Sequence, residues 1–151
     1  IRIQYSNQNL GERINMVRTV VRDVFFLAQK SEPATKDDLG TVQDLLDTLQ
    51  ANTDHCVGMA ANMIGVRKNV IAVQMGMVNA AMLNPVIVKR TGPYETEEGC
   101  LSLEGVRRTT RYQEIEVEYQ DIHFCKHRQK YSGWIAQIIQ HECDHLNGII
   151  I

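Results

Sequence analysis

The chain has 151 residues, 44% of them hydrophobic and 23% charged, with a formal net charge of -2. That length and balance predict one soluble globular domain with a sizeable core, needing neither disulfides nor a structural metal to fold. The near-neutral charge excludes a broad electrostatic attraction to nucleic acid or an acidic membrane, and no apolar run approaches the roughly 18 residues that span a bilayer.

The first stretch, residues 1–15, is polar and weakly patterned, with no apolar segment of the kind a secretory leader carries. Coherent patterning begins at Met16. We therefore expect residues 1–15 to be an extension, or an artificially appended or upstream-encoded segment, and residues 16–151 to be the domain. Met16 to Leu27 is rich in β-branched and aromatic residues and reads as a short strand or extended segment followed by a turn, which Pro33 bounds. Lys36 to Thr53 is a predicted helix. Leu39, Val42, Leu45, Leu46 and Leu49 recur at three- and four-residue spacing, and Asp37 and Asp38 favour its start.

Cys56 to Val66 concentrates small residues and reads as a tight loop, or as backbone that must approach a ligand or a packed helix closely. Strands are predicted at Asn69 to Gln74, at Ala80 to Lys89 around a turn signal at Asn84-Pro85, and at Glu114 to Tyr119. In the last of these, Ile115, Val117 and Tyr119 alternate with Glu114, Glu116 and Glu118, as on an antiparallel strand with one wet face. Ile122 and Phe124 continue that period past a turn at Asp121, placing Cys125 on a strand as a structural residue.

Ser132-Gly133 opens a final helix. Its apolar side is Trp134, Ile135, Ile138, Ile139 and Cys143, and Asn147-Gly148 stops it. Within it stands His141-Glu142-Cys143-Asp144-His145. Four residues is just over one turn, so His141 and His145 project from nearly the same face and can share a metal ion. Glu142 lies about 60 to 100° round the helix, where a carboxylate reaches a water on the metal rather than the metal itself. Strands in succession before one long C-terminal helix predict an α+β fold.

A catalytic site of this kind needs a third protein ligand. Candidates are Cys100, Cys125, His55, His123, His127 and the carboxylates; Cys100 follows a glycine and has Glu98 two residues upstream. The four cysteines do not form the close-spaced framework of a secreted domain, and a reducing compartment fits them better. The bland reading of His55, His123 and His127 is surface or packing, and Cys143 is expected to pack away from any metal.

Gly58-Met59-Ala60-Ala61, Glu98-Gly99-Cys100-Leu101-Ser102 and Gln140-His141-Glu142-Cys143-Asp144-His145 stand in the order and approximate spacing of the three motifs of peptide deformylases. The chain resembles that family over most of its length from Met16 on. The resemblance implies antiparallel β-sheets packed around the C-terminal helix, and removal of the formyl group from the N-terminal formylmethionine of nascent polypeptides. It implies a metal held by Cys100, His141 and His145. That metal is expected to be Fe(II) natively, with zinc, nickel or cobalt able to replace it, although the Cys-His-His donor set alone favours zinc. It makes Glu142 the proton carrier and the Leu101 backbone N–H an oxyanion donor. Val57, Gly58 and Ile138 would line the methionine pocket. A monomer in a bacterial-type cytoplasm is expected, acting on nascent chains near the ribosome, with no membrane and no specific nucleic-acid site.

The sequence departs from the family pattern at two places. Cys56 stands where the first motif has its first glycine, and Met63 where it has a glutamine whose amide donates to the oxyanion. A thioether cannot donate, and losing one such donor costs on the order of 10²–10³ in turnover. Three readings follow: a weakened deformylase, a hydrolase of a different acylated amine, or a metal protein that binds peptide N-termini without catalysis. Retention of Glu142 favours catalysis, since a structural metal has no use for a general base.

Overall fold

The computed structural model describes Ile1 and residues 17–151. The expected extension and the start at Met16 fall mostly on residues 2–16, outside the described residues. Among the described residues, three α-helices and five strands follow one another as α1 (Val24–Leu27), α2 (Leu39–Ala51), β1 (Gly58–Ala60), β2 (Val70–Met75), β3 (Val78–Gly99), β4 (Val106–Gln120), β5 (Lys126–Ser132) and α3 (Gly133–Leu146). The five strands form one antiparallel sheet in sequence order, as short connections dictate. The fold is α+β, as expected.

α2 forms because its leucines repeat with the helical period. Val42, Leu45 and Leu49 are buried, and a 3-10 turn at Lys36–Asp38 precedes the helix. Thr35 caps that turn by accepting from the Asp37 N–H, while Asp38 accepts from the Thr35 N–H. Of the two readings of the segment before α2, the structure excludes the strand. Residues 17–23 are irregular rather than a strand, and Val24–Leu27 is one helical turn capped by Asp23. That turn buries Leu27 and leaves Phe25 in solvent, so the apolar run is short packing rather than a sheet member.

β3 and β4 make a long hairpin that carries chemistry to α3. Asn84, at φ 51°, and Pro85, which has no N–H to give a ladder, account for the irregularity between Leu83 and Val86. The Asn84 side chain accepts from the Ala34 N–H and donates to the Ala34 carbonyl and to Gln120, tying the approach to α2 onto the bend. β4 buries Ile115 and Val117. Its outward Glu116 and Glu118 pair with Arg128 of β5, and Glu116 also with Lys89 of β3. The continuation of β4 past Asp121 is corrected. Residues 121–125 are the turn itself: Phe124 sits at φ 60°, and Asp121 accepts from the His123 and Cys125 N–H groups. Cys125 is therefore exposed beside a turn rather than buried on a strand.

α3 lies against β1, β2 and β4 and buries Ala136, Ile138, Ile139, His141, Glu142 and His145. Its exit is fixed by Gly148 at φ 74°, where an added Cβ would lie 2.4 Å from the Ala28 carbonyl oxygen. Among the described residues, no helix is long and apolar enough to cross a membrane.

Candidate metal centre and cleft

α3 places His141 and His145 one turn apart on its buried face, and the end of β3 delivers Cys100 to them. The three ligand atoms lie within 4.8 Å of one another. Cys100 Sγ is 3.3 Å from His145 Nε2, which is 3.1 Å from His141 Nε2. Two imidazole nitrogens and a thiol face one another in a dry interior, where they satisfy each other poorly. That is the donor set and spacing a divalent ion needs.

The surroundings fix the ligands. Glu98 Oε1 accepts from His141 Nδ1 at 2.8 Å, which leaves the lone pair on Nε2, the nitrogen beside His145. Arg111 grips Glu98 with Nε at 3.0 and 3.1 Å and Nη2 at 2.7 Å, and its Nη1 reaches Asp144 at 2.7 Å. Burial would raise the Glu98 carboxyl, but the hydrogen bonds and charges of His141 and Arg111 outweigh it and hold it at about 2. Glu98 thus holds both a candidate ligand histidine and Arg111, and Asp144 is the second ion-pair partner of that arginine. Burial pushes the Cys100 thiol up to about 11, with Glu142 adding to the shift. Burial also lowers His141, and lowers His145 strongly. Neutral imidazoles are the ligating form, and a cation at the centre would reverse the upward push on the thiol.

Glu142 is fully buried beside the triangle, with Oε1 3.8 Å from His141 Nε2 and Oε2 unpartnered among the described residues. β1 passes directly over it. An added Cβ on Gly58 would lie 2.5 Å from Ile138 Cγ2 and 3.2 Å from Glu142 Cγ, so only glycine lets the strand approach α3 this closely. The tight-loop reading of Cys56 to Val66 is corrected here: Gly58–Ala60 is a strand paired with β2, followed by a 3-10 turn at Ala61–Ile64. The run was ambiguous because its residues are too small to carry a period.

Ile1 occupies the cleft between β1 and α3 and is buried there. Its nitrogen donates to the Gly58 carbonyl at 3.2 Å and lies 3.4 Å from Glu142 Oε1, and its carbonyl accepts from the Val57 N–H at 3.0 Å. The open edge of β1 thus pairs with an extended segment, as in strand addition. The family resemblance implies that Gly58 and the neighbouring backbone can pair with an extended peptide; that Ile1 supplies the segment carries no sequence signal, because pairing uses backbone atoms.

The remaining predicted residues fall as follows. Val57 and Ile138 are buried beside the cleft, and Leu101 is half-buried in the turn after Cys100. Met63 is fully buried, and its sulfur accepts from the Ala60 N–H at 3.4 Å. The neighbouring Asn62 amide donates to the His145 carbonyl at 2.9 Å, which commits it to α3. Cys143 is buried outside the ligand triangle. His127 also stands outside the triangle, pairing with Asp121 at 2.8 Å and stacking on Tyr119. Sequence reasoning missed Gln140, whose side chain accepts from the Tyr112 N–H and donates to the Tyr112 carbonyl, locking β4 to the helix one residue before His141.

The known proteins that the chain is similar to are peptide deformylases. The sequence model described as polypeptide deformylase matches residues 16–151. A peptide deformylase of Clostridium beijerinckii is 56% identical over 136 residues, covering 90% of this chain and all of that protein. Among solved structures, a Legionella pneumophila peptide deformylase is similar with TM-score 0.80 at 29% identity, covering 89% of this chain and 83% of that one. A Met-Ala-Ser-bound class I type b peptide deformylase of Acinetobacter baumannii is similar with TM-score 0.80 at 27% identity, covering 89% of this chain and 96% of that one.

Proposed function

The chain belongs to the peptide deformylase family, whose members remove the N-formyl group from nascent chains, and we propose that it does so with Cys100, His141 and His145 holding the metal and Glu142 carrying the protons. It is a metal-dependent hydrolase acting on formylmethionyl peptides. The observation that carries the residue assignment is one juxtaposition: three candidate ligand atoms within 4.8 Å, a buried carboxylate beside them, and the amino nitrogen of Ile1 3.4 Å from that carboxylate.

A divalent ion held by Cys100, His141 and His145 would supply Lewis acidity. The chain's own groups do the rest. The Val57 N–H and the Gly58 carbonyl hold the peptide backbone of the N-terminal residue, as they hold Ile1. Its side chain enters the pocket beside Val57 and Ile138. Glu142, shielded from solvent, takes the proton of the attacking water and returns one to the departing amine, whose position is within reach of Oε1. The Leu101 backbone N–H donates to the developing oxyanion. Met63 offers no donor, so we expect turnover below that of a glutamine-bearing relative.

We assign Fe(II) as the native ion by family resemblance, with zinc, nickel and cobalt as substitutes on the same donors. The natural substrates are the formylmethionyl ends of chains near the ribosome, met by a monomer in a bacterial cytoplasm. A second reading, a binder of peptide N-termini without catalysis, is favoured by one observation only, the missing donor at Met63. An anaerobic assay of the Fe(II) form on formyl-Met-Ala-Ser, beside its acetyl counterpart, separates the two. Formate release from the formyl peptide alone is expected. Peptide binding with no formate would overturn catalysis in favour of the binder.

A further inference from the structure

Cys56 stands at the rim of this site and takes no part in the mechanism above. It is fully buried, and its thiol donates to the Gly58 carbonyl at 3.1 Å. The same oxygen accepts from the Ile1 nitrogen at 3.2 Å. The Val57 carbonyl takes the Gln74 N–H of β2, so the Gly58 carbonyl is the one presented to the open edge. Most residues at the position of Cys56 would leave that oxygen to the peptide alone, since only a side chain bearing a short donor can fold back two residues to reach it. Burial raises the Cys56 thiol, with the nearby Glu142 adding to the shift, so it keeps its proton and stays a donor at neutral pH.

We propose that Cys56 is a positioning residue for the substrate: its thiol shares the Gly58 carbonyl with the N–H of the peptide's first residue and thereby sets how tightly that residue is held. Two donors on one acceptor weaken each other, because each withdraws the electron density the other uses. The thiol is a weak donor, so the effect is a tuning of affinity rather than a block. The inference rests on the peptide-binding geometry of the proposed function, in which the Gly58 carbonyl receives the N-terminal nitrogen.

The test is a donor series at position 56, read by calorimetry with the free-amine peptide Met-Ala-Ser and by steady-state kinetics with its formyl form. Cys56→Ala removes the donor and should tighten Met-Ala-Ser binding about threefold or more, the size of one modest hydrogen bond. KM should fall in parallel, with a much smaller change in kcat. Cys56→Ser carries a stronger donor on a shorter bond, matched by the shorter O–H···O distance, and should weaken binding below the wild type. Cys125→Ser, at the exposed thiol of the β4–β5 turn, should move neither quantity. Retained metal stoichiometry and circular dichroism establish that each variant is folded; should the alanine variant not fold, the serine variant alone decides. The proposal is overturned if alanine binds no tighter than cysteine, if serine binds no weaker, or if the effect falls on kcat instead of KM. Failure is separable from that of the proposed function. Formate release without the donor order rejects the role of Cys56, and the donor order in binding without formate release rejects catalysis.

Discussion

Residue by residue, the site is a set of commitments that leaves few groups free. Glu98 is held by Arg111 and by His141, the Asn62 amide by the His145 carbonyl, and Gln140 by Tyr112. The Asn62 amide thus spends one of its two N–H groups on α3 rather than on a substrate. The Met63 sulfur accepts the Ala60 N–H, and a glutamine there could accept the same N–H through its oxygen while its NH₂ stays available to the oxyanion. Met63→Gln should raise kcat on formyl-Met-Ala-Ser, by up to about 10²-fold for one restored donor. An unchanged kcat in a variant that still binds the metal would show that position 63 does not face the reacting carbonyl.

Among the strands and helices, the close crossing of β1 over α3 is the critical contact. Gly58→Ala would drive a methyl into Ile138 at 2.5 Å and crowd Glu142. Displacing the strand by about 1 Å should lower kcat/KM on the order of 10²-fold, and adding Ile138→Ala should recover part of it. A Gly58→Ala variant with wild-type kinetics would mean that the strand does not position the peptide. The sequence made α3 and the inner half of β4 legible because their burial has a period: 3.6 in one, 2 in the other. It left β1 ambiguous because three small residues carry no period. It left β5 unread because Lys126 to Ser132 is a half-exposed edge whose residues are nearly all polar. It shortened β3, whose outer part from Lys89 to Glu97 is mostly solvent-exposed and looks like a loop. The turn at 121–125 was misread as strand because Ile122 and Phe124 keep a period of 2 by coincidence, while Asp121 caps the backbone.

In the molecule as a whole, a buried cluster of titratable groups couples folding to pH and metal. Burial lowers His141 and His145 from 6.5, so below that value the unfolded chain takes up protons that the folded chain resists. Their share of stability is present above 6.5 and is lost as pH falls. Glu98, at about 2 against an ordinary 4.5, contributes above 4.5 and loses that contribution between 4.5 and about 2. Metal-free protein should therefore show a urea midpoint that falls from pH 8 to pH 6 to pH 4, and adding Zn²⁺ at pH 8 should raise it. A midpoint independent of pH would contradict the buried-histidine account.

Helical spacing singles out His141, Glu142 and His145, and only the family resemblance adds Cys100; the structure brings the three candidate ligand atoms within 4.8 Å of one another. The resemblance also implies peptide pairing at Gly58, but not that Ile1 fills the cleft or that Cys56 shares the Gly58 carbonyl, since backbone pairing leaves no mark on side-chain pattern. The mechanism stands or falls on Glu142 moving protons beside a metal it does not bind. Formate release by the Glu142→Gln variant probes that step, measured on protein whose metal content is determined in the same sample. One metal per chain is expected, as in the wild type, with turnover lowered at least about 10²-fold. Full metal with wild-type turnover would contradict the proton-transfer role, and loss of the metal would place Glu142 among the ligands instead.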